Sequence, residues 1–202
     1  MIATIPPRHP PGTDNLAYWE DFLSEDDING LLARPEWATA DYGVVGLSSK
    51  HELNTKIRSS KVGWLQRDAD TDRYWSIITN TVARVNAQFF HYDLTGCYEP
   101  IQLGTYEYSA DDPGHYNWHA DANGKDPTVV PRKLSMSLLL SDPTEFEGGE
   151  LQLLVDNSET RSVEQKRGRA WFFPSWMLHR VTPVTRGIRR SLVLWVGGPP
   201  FR

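Results

Sequence analysis

Beyond His91 the chain breaks into short runs rich in β-branched, aromatic and leucine residues, and this texture limits the possible folds more than any other feature. The runs fall at 100–108, 115–120, 133–141, 149–155, 169–173, 178–184 and 189–196, with turn residues between them. Two turns are plain, Glu147-Gly148-Gly149-Glu150 and Phe173-Pro174-Ser175. Seven or eight strands in about 100 residues predict a double-sheet jelly roll, that is, a double-stranded β-helix.

Ahead of the strands the period changes. Trp75, Ile78, Val82, Val85 and Phe89 recur at helical steps, so one amphipathic helix is expected from about Asp72 to Phe90. A shorter helix is expected from Glu25 to Ala33, with Ser24 as N-cap and an acidic first turn. Packed on one sheet, these helices make the fold class α+β, mainly β. Residues 38–63 mix glycine, serine and charge with no clean period, which predicts a long loop or irregular hairpin. The expected organisation is one domain over 1–202: an extended Pro-rich arm (1–15), a helical support with a cover loop (16–97) and the jelly-roll core (98–202).

Bulk properties narrow the function. A length of 202 residues with 39% hydrophobic content suits one sizeable core better than two. A net charge of -5 has the wrong sign for a nucleic-acid surface. The single cysteine, Cys97, cannot form an internal disulfide, which favours a reducing, cytoplasmic setting. No apolar run reaches signal-peptide length or the roughly 18 residues of a membrane span, so a protein without a membrane partner is expected. Oligomeric state is not readable.

Three side chains suggest a metal. On a strand, His119 and Asp121 share a face while Ala120 turns away, and His179 opens a later run that is expected to return antiparallel to the one before it. Two imidazoles and one carboxylate hold a divalent ion on one side and leave its other positions open, as in non-haem Fe(II) oxygenases. Taken alone, His-x-Asp also describes a polar strand end, and a lone histidine is commonly a core or surface residue. Arg189 and Ser191 share the face of another strand, where a guanidinium and a hydroxyl together can grip a carboxylate.

These motifs together resemble the Fe(II)- and 2-oxoglutarate-dependent dioxygenases, most nearly their prolyl 4-hydroxylase-like branch, with its cupin-like core. The likeness runs through Gln102 to Tyr106, Tyr116-Asn117-Trp118-His119-Ala120-Asp121, Lys133 to Ser141, Glu147 to Leu151, Phe173 to Pro183 and Arg186 to Ser191. It implies His119, Asp121 and His179 as Fe(II) ligands. It also implies Arg189 as the anchor of the far carboxylate of 2-oxoglutarate, aided by Ser191 and Tyr106. O2 is the oxidant, ascorbate an optional reductant, and 2-oxoglutarate leaves as succinate and CO2. An aspartate at 121 favours hydroxylation, since related halogenases carry a small residue there. The expected substrate is a peptidyl proline. The alternatives are a free amino acid or other small molecule, or a non-catalytic jelly-roll binding module.

Other residues carry weaker expectations. His115 is geometrically able to join the ligands but reads better as a loop-end residue, and His9, His51 and His91 read as surface. Trp118 and Trp176 read as core or rim rather than substrate stackers. On 133–141 one face is apolar, while Ser135, Ser137 and Ser141 face either the co-substrate or solvent. Lys166, Arg167, Arg169, Arg180, Arg186 and Arg190 read as a solvated rim. Residues 41–63 and 122–132 are expected to cover the site.

Overall fold

A computed structural model describes residues 15–44, 53–123, 128–155 and 159–200. Residues 1–14 of the proposed 1–15 arm therefore lie outside the described residues, as do His9, His51 and parts of both proposed covers.

The first strand, β1 (Ala17–Trp19), precedes α1 (Glu25–Leu32). Ser24 caps α1 by accepting the Asp27 N–H at 3.1 Å, and Ile28 and Leu31 supply its buried face. Next come β2 (Asp41–Tyr42), β3 (Arg58–Ser59) and β4 (Lys61–Leu65), and then α2 (Asp72–Val85). Trp75, Ile78, Val82 and Val85 form the stripe that α2 buries. A π-helical turn, Asn86–Phe90, carries the coil on to His91, whose left-handed φ of 54° ends it. The Asn86 side chain locks that exit by bonding both the N–H and the carbonyl of Tyr92 at 2.9 Å.

The remaining strands are β5 (Ile101–Glu107), β6 (His115–His119), β7 (Arg132–Leu139), β8 (Glu147–Gly148), β9 (Leu151–Val155), β10 (Glu159–Ser162), β11 (Ala170–Pro174), β12 (His179–Val181), β13 (Val184–Arg186) and β14 (Ile188–Gly197). They build a seven-stranded sheet, β1-β11-β7-β14-β5-β4-β2, facing a five-stranded one, β10-β9-β12-β6-β3. A two-stranded flap, β8 with β13, closes one corner. Gly148 there has φ 71°, and a Cβ on it would meet the Pro183 carbonyl at 2.2 Å, so the flap's turn requires glycine.

Strand alternation divides the large sheet into two environments. Leu134, Met136 and Leu138 of β7, Leu192, Leu194 and Val196 of β14, and Ile101 and Leu103 of β5 are buried against the helices, together with Phe172 of β11. Each such large side chain contributes about 1.5–3 kcal/mol through burial. The intervening residues of the same strands point between the sheets. At one end Leu151, Leu153, Val163, Trp171 and Phe173 fill that space as a second core. At the other end it stays open.

Of the two readings for 38–63 the irregular hairpin holds, since β2 pairs antiparallel with β4; β4 also joins β5 inside the large sheet, its period hidden by Gly63, which lies against the Glu36 carbonyl. Three sequence expectations need correction. The run 178–184 is two strands, β12 and β13, in different sheets. β12 does not pair with β11; the Pro174-Ser175 turn carries the chain across to the small sheet, where β12 lies between β9 and β6. Arg169 is no solvated rim residue but is buried, held by Glu20 and by Glu164 at 2.7 Å.

Candidate active site

β6 and β12 place the two histidines side by side. His179 pairs with His119 and Val181 with Tyr116, so β6 spends three residues where β12 spends two. This bulge at 117–118 breaks strict alternation and brings Tyr116 round beside His119. Their rings stack at 3.5 Å with 15° between planes. The same bulge removes His115 from the face the simple period assigns it. Its Nδ1 lies 2.8 Å from the Pro113 carbonyl, as a loop-anchored residue.

Asp121 follows just beyond β6 and is buried. Its Oδ2 lies 3.5 Å from His179 Nε2, and its Oδ1 3.8 Å from His119 Nε2. One donor atom from each of the three side chains falls within 4.8 Å of the others. The far nitrogens fix the tautomers. His119 Nδ1 sits 2.8 Å from the Asn117 carbonyl and His179 Nδ1 2.9 Å from the Met177 carbonyl, so each Nδ1–H donates outward and each Nε2 lone pair faces inward. Burial, with His179 alongside, pushes the His119 imidazole down to about 3 and keeps it neutral. Burial acts to raise the Asp121 carboxyl, yet the group is held below the ordinary carboxylate range, with the Ser135 hydroxyl donating to the charged form.

The serine face of β7 looks into the cavity. Ser135 donates to Asp121 Oδ2 at 2.7 Å and lies 3.0 Å from the Ser175 hydroxyl, so the carboxylate is oriented from the opposite sheet. Arg189 stands on that sheet too, 3% exposed, with Ser191 accepting from its Nη1 at 3.0 Å. Its Nε is buried without a partner, and among the described residues no carboxylate comes within ion-pair reach. Burial lowers its pKa, against the pull of Tyr106, whose ring centre lies 5.4 Å from the guanidinium carbon.

Between these walls lies a cavity of about 920 Å³, lined by His119, Asp121, His179, Tyr106, Arg189 and Ser191 among others. All six sequence-predicted site residues thus face one space. Trp118 and Trp176 are exposed and do not line it; Arg180 lies 4.7 Å over the Trp118 ring. Arg180, Arg186 and Lys166 make polar contacts to Gln152, Glu147 and Glu20. Within the two proposed covers, Asp41 to Val44, Ala122, Asn123 and Val129 line the cavity, while 45–52 and 124–127 lie outside the described residues.

Sequence reasoning passed over two groups here. Arg132, bonded to Glu99, stacks 3.8 Å over the Trp195 ring and donates to the Asp121 backbone carbonyl at 3.1 Å. Arg58 enters from β3. Neither has a spacing signal; a basic residue at a strand end looks the same whether it points to solvent or inward.

A double-stranded β-helix with a one-sided imidazole and carboxylate set on one sheet, and an uncompensated cation on the other, defines the architecture of a jelly-roll metal oxygenase. Known proteins narrow the class. Residues 102–197, from β5 through β14, match the family model of the 2OG-Fe(II) oxygenase superfamily. A PKHD-type hydroxylase of Pseudomonas putida (strain W619) is 28% identical over 83% of this chain and 70% of its own length. One of Xylella fastidiosa (strain 9a5c) is 38% identical over 40% of this chain, a stretch spanning 38% of that relative. Among solved structures, a Pseudomonas putida prolyl-4-hydroxylase superposes with TM-score 0.67 and 21% identity, covering 91% of this chain and 92% of that one. A Trichoplax adhaerens prolyl hydroxylase bound to a hypoxia inducible factor peptide fragment gives TM-score 0.68 at 19% identity, covering 92% and 84%. At such identities these two structures establish the fold. Over residues 102–197 the chain is similar to the 2OG-Fe(II) oxygenase superfamily, its curated relatives are PKHD-type hydroxylases, and its fold is that of the prolyl hydroxylase structures.

Proposed function

We propose that this chain is an Fe(II)- and 2-oxoglutarate-dependent hydroxylase acting on a C–H bond of a peptidyl prolyl residue. The observation that carries the reading is the buried, unpaired Arg189 facing the same cavity as the His119, Asp121 and His179 donor atoms. A buried guanidinium without a countercharge is costly unless an anion completes it, and a diacid that also reaches the metal supplies one.

The residues fit the groups. Three inward-facing donors, two imidazoles and one carboxylate, suit Fe(II), with His119, Asp121 and His179 as its ligands. Arg189, with Ser191 and Tyr106 beside it, would take the far carboxylate of 2-oxoglutarate. Bound there, iron and co-substrate supply the oxidising power that turns C–H into C–OH as O2 is consumed and succinate and CO2 leave. The protein's own part is orientation and exclusion. The carbonyls of Asn117 and Met177 hold the imidazoles, Ser135 holds Asp121, and the two sheets keep water from the inner wall.

A peptide is favoured because the cavity opens beside apolar rings and chains. Tyr42, Trp64 and Val129 line it, and each is largely exposed. Aromatic-lined grooves suit the stiff, extended backbone around proline. The peptide bound to the Trichoplax neighbour supports the same reading. No described helix is long and apolar enough to cross a membrane.

The test is reconstitution with Fe(II) and 2-oxoglutarate without oxygen, then exposure to oxygen with proline-containing peptides. The expected result is succinate matched by a mass gain of about 16 Da on proline, one inserted oxygen. Succinate with no peptide gain on any prolyl sequence would count against the peptide reading.

A further inference from the structure

The cavity holds a second buried guanidinium. Arg58, on β3 in the small sheet, is 6% exposed and lines the same space as the metal ligands. Its Nε donates to Ser60 Oγ at 2.7 Å, and its carbon lies 4.6 Å from the centre of the Tyr116 ring. Its Nη2 is buried with no hydrogen-bond partner, and no described carboxylate reaches it. Arg169, the third buried arginine among the described residues, shows what an ordinary structural one looks like here, since Glu20 and Glu164 hold it.

The backbone keeps room for this group. A Cβ on Gly43 would lie 2.6 Å from Arg58 Nε and 2.7 Å from its Cζ, so only glycine lets the guanidinium rest against that segment. Charge then says what is missing. With Fe(II) and the 2-oxoglutarate dianion in place, the positive charges of metal and Arg189 are matched by the co-substrate and Asp121, and Arg132 is matched by Glu99. Arg58 alone stays uncompensated among the described groups of the cavity, apart from the exposed Asp41, which makes no ion pair with it.

We infer that Arg58 is a substrate-binding residue that takes a carboxylate of the substrate, so the enzyme prefers an acidic group beside the carbon it hydroxylates. The inference rests on the hydroxylase reading and adds a substrate class to it. A guanidinium presents parallel N–H donors that match a carboxylate's two oxygens. Two sources share this chemistry: an acidic side chain next to the target proline in a peptide, and the carboxylate of free proline.

The experiment uses the full chain loaded with Fe(II) and 2-oxoglutarate without oxygen, with tryptophan fluorescence reporting binding. The probes are blocked peptides with glutamate just before or just after proline, their glutamine counterparts, and free L-proline against L-prolinamide. An acid-bearing probe should bind about tenfold more tightly than its amide partner, the scale of one charge-assisted pair. The pair that differs identifies the source. Arg58→Gln should abolish the difference and leave 2-oxoglutarate affinity unchanged, while Arg58→Lys should keep part of it. Should Arg58→Gln lose 2-oxoglutarate binding through misfolding, Gly43→Ala, which displaces the guanidinium, takes its place.

Equal binding of every acid and amide pair by the unaltered protein overturns the inference, as does a preference that survives in Arg58→Gln. Hydroxylation without an acid preference sinks this inference alone. An Arg58-dependent preference with no hydroxylation sinks only the hydroxylase reading.

Discussion

The two faces of the large sheet are built from the same strands and do opposite work. Toward the helices, Leu134, Met136, Leu138, Leu192 and Leu194 are fully buried among apolar neighbours. On the opposite face of those strands Ser135, Ser137, Arg189 and Ser191 are also buried, yet they are polar: Ser137, Arg189 and Ser191 line the cavity, and Ser135 bonds the Asp121 carboxylate. Burial without charge compensation would destabilise most folds. Here the helix face stabilises the barrel strongly enough for the cavity face to keep a cation waiting for its partner.

Substitutions on the two faces should therefore separate stability from binding. The largest stability effect is expected from Phe172→Ala on the helix side, a loss of about 3–5 kcal/mol from cavity formation, read as a fall in Tm. The protein that remains folded should bind 2-oxoglutarate normally. On the other face, Arg189→Gln should weaken 2-oxoglutarate by about 10–100-fold with Tm held or raised, since a buried unpaired charge is removed. Titration calorimetry beside thermal unfolding measures both, and a lower Tm with unchanged affinity would erase the contrast between the faces. Ser135→Ala should weaken Fe(II) by about 10-fold, because Asp121 loses the hydroxyl that orients it. Competition with a chelating dye reads that loss. The smallest effect belongs far from both faces, where Ser24→Ala removes the α1 cap at about 1 kcal/mol and leaves both ligands alone. Denaturant unfolding alongside the two binding assays checks it.

The same contrast explains what could be read from sequence. Helix α2 was legible because Trp75, Ile78, Val82 and Val85 repeat at a spacing that only a helix buries. The strands of the core were legible from composition, and the donor residues from type and spacing. The crossing between sheets at Pro174-Ser175 was not, because a turn looks alike whether the next strand pairs with the last one or leaves for the other layer. The bulge at 117–118 was also hidden. It costs one residue of register and has no glycine to mark it, yet it decides that Tyr116 rather than His115 meets His119. The role of Ser135 needed the third dimension, since its partner Asp121 belongs to a strand end of the opposing sheet.

The central claim is that His119, Asp121 and His179 share one Fe(II) with a diacid that Arg189 anchors. The direct measurement is the visible absorption of the Fe(II)-loaded protein, kept free of oxygen, as 2-oxoglutarate is added. The account predicts a new band that saturates with one equivalent per chain, is lost in His179→Ala, and needs far more 2-oxoglutarate in Arg189→Gln. A spectrum that does not respond in the unaltered protein, or that responds equally in His179→Ala, would contradict it.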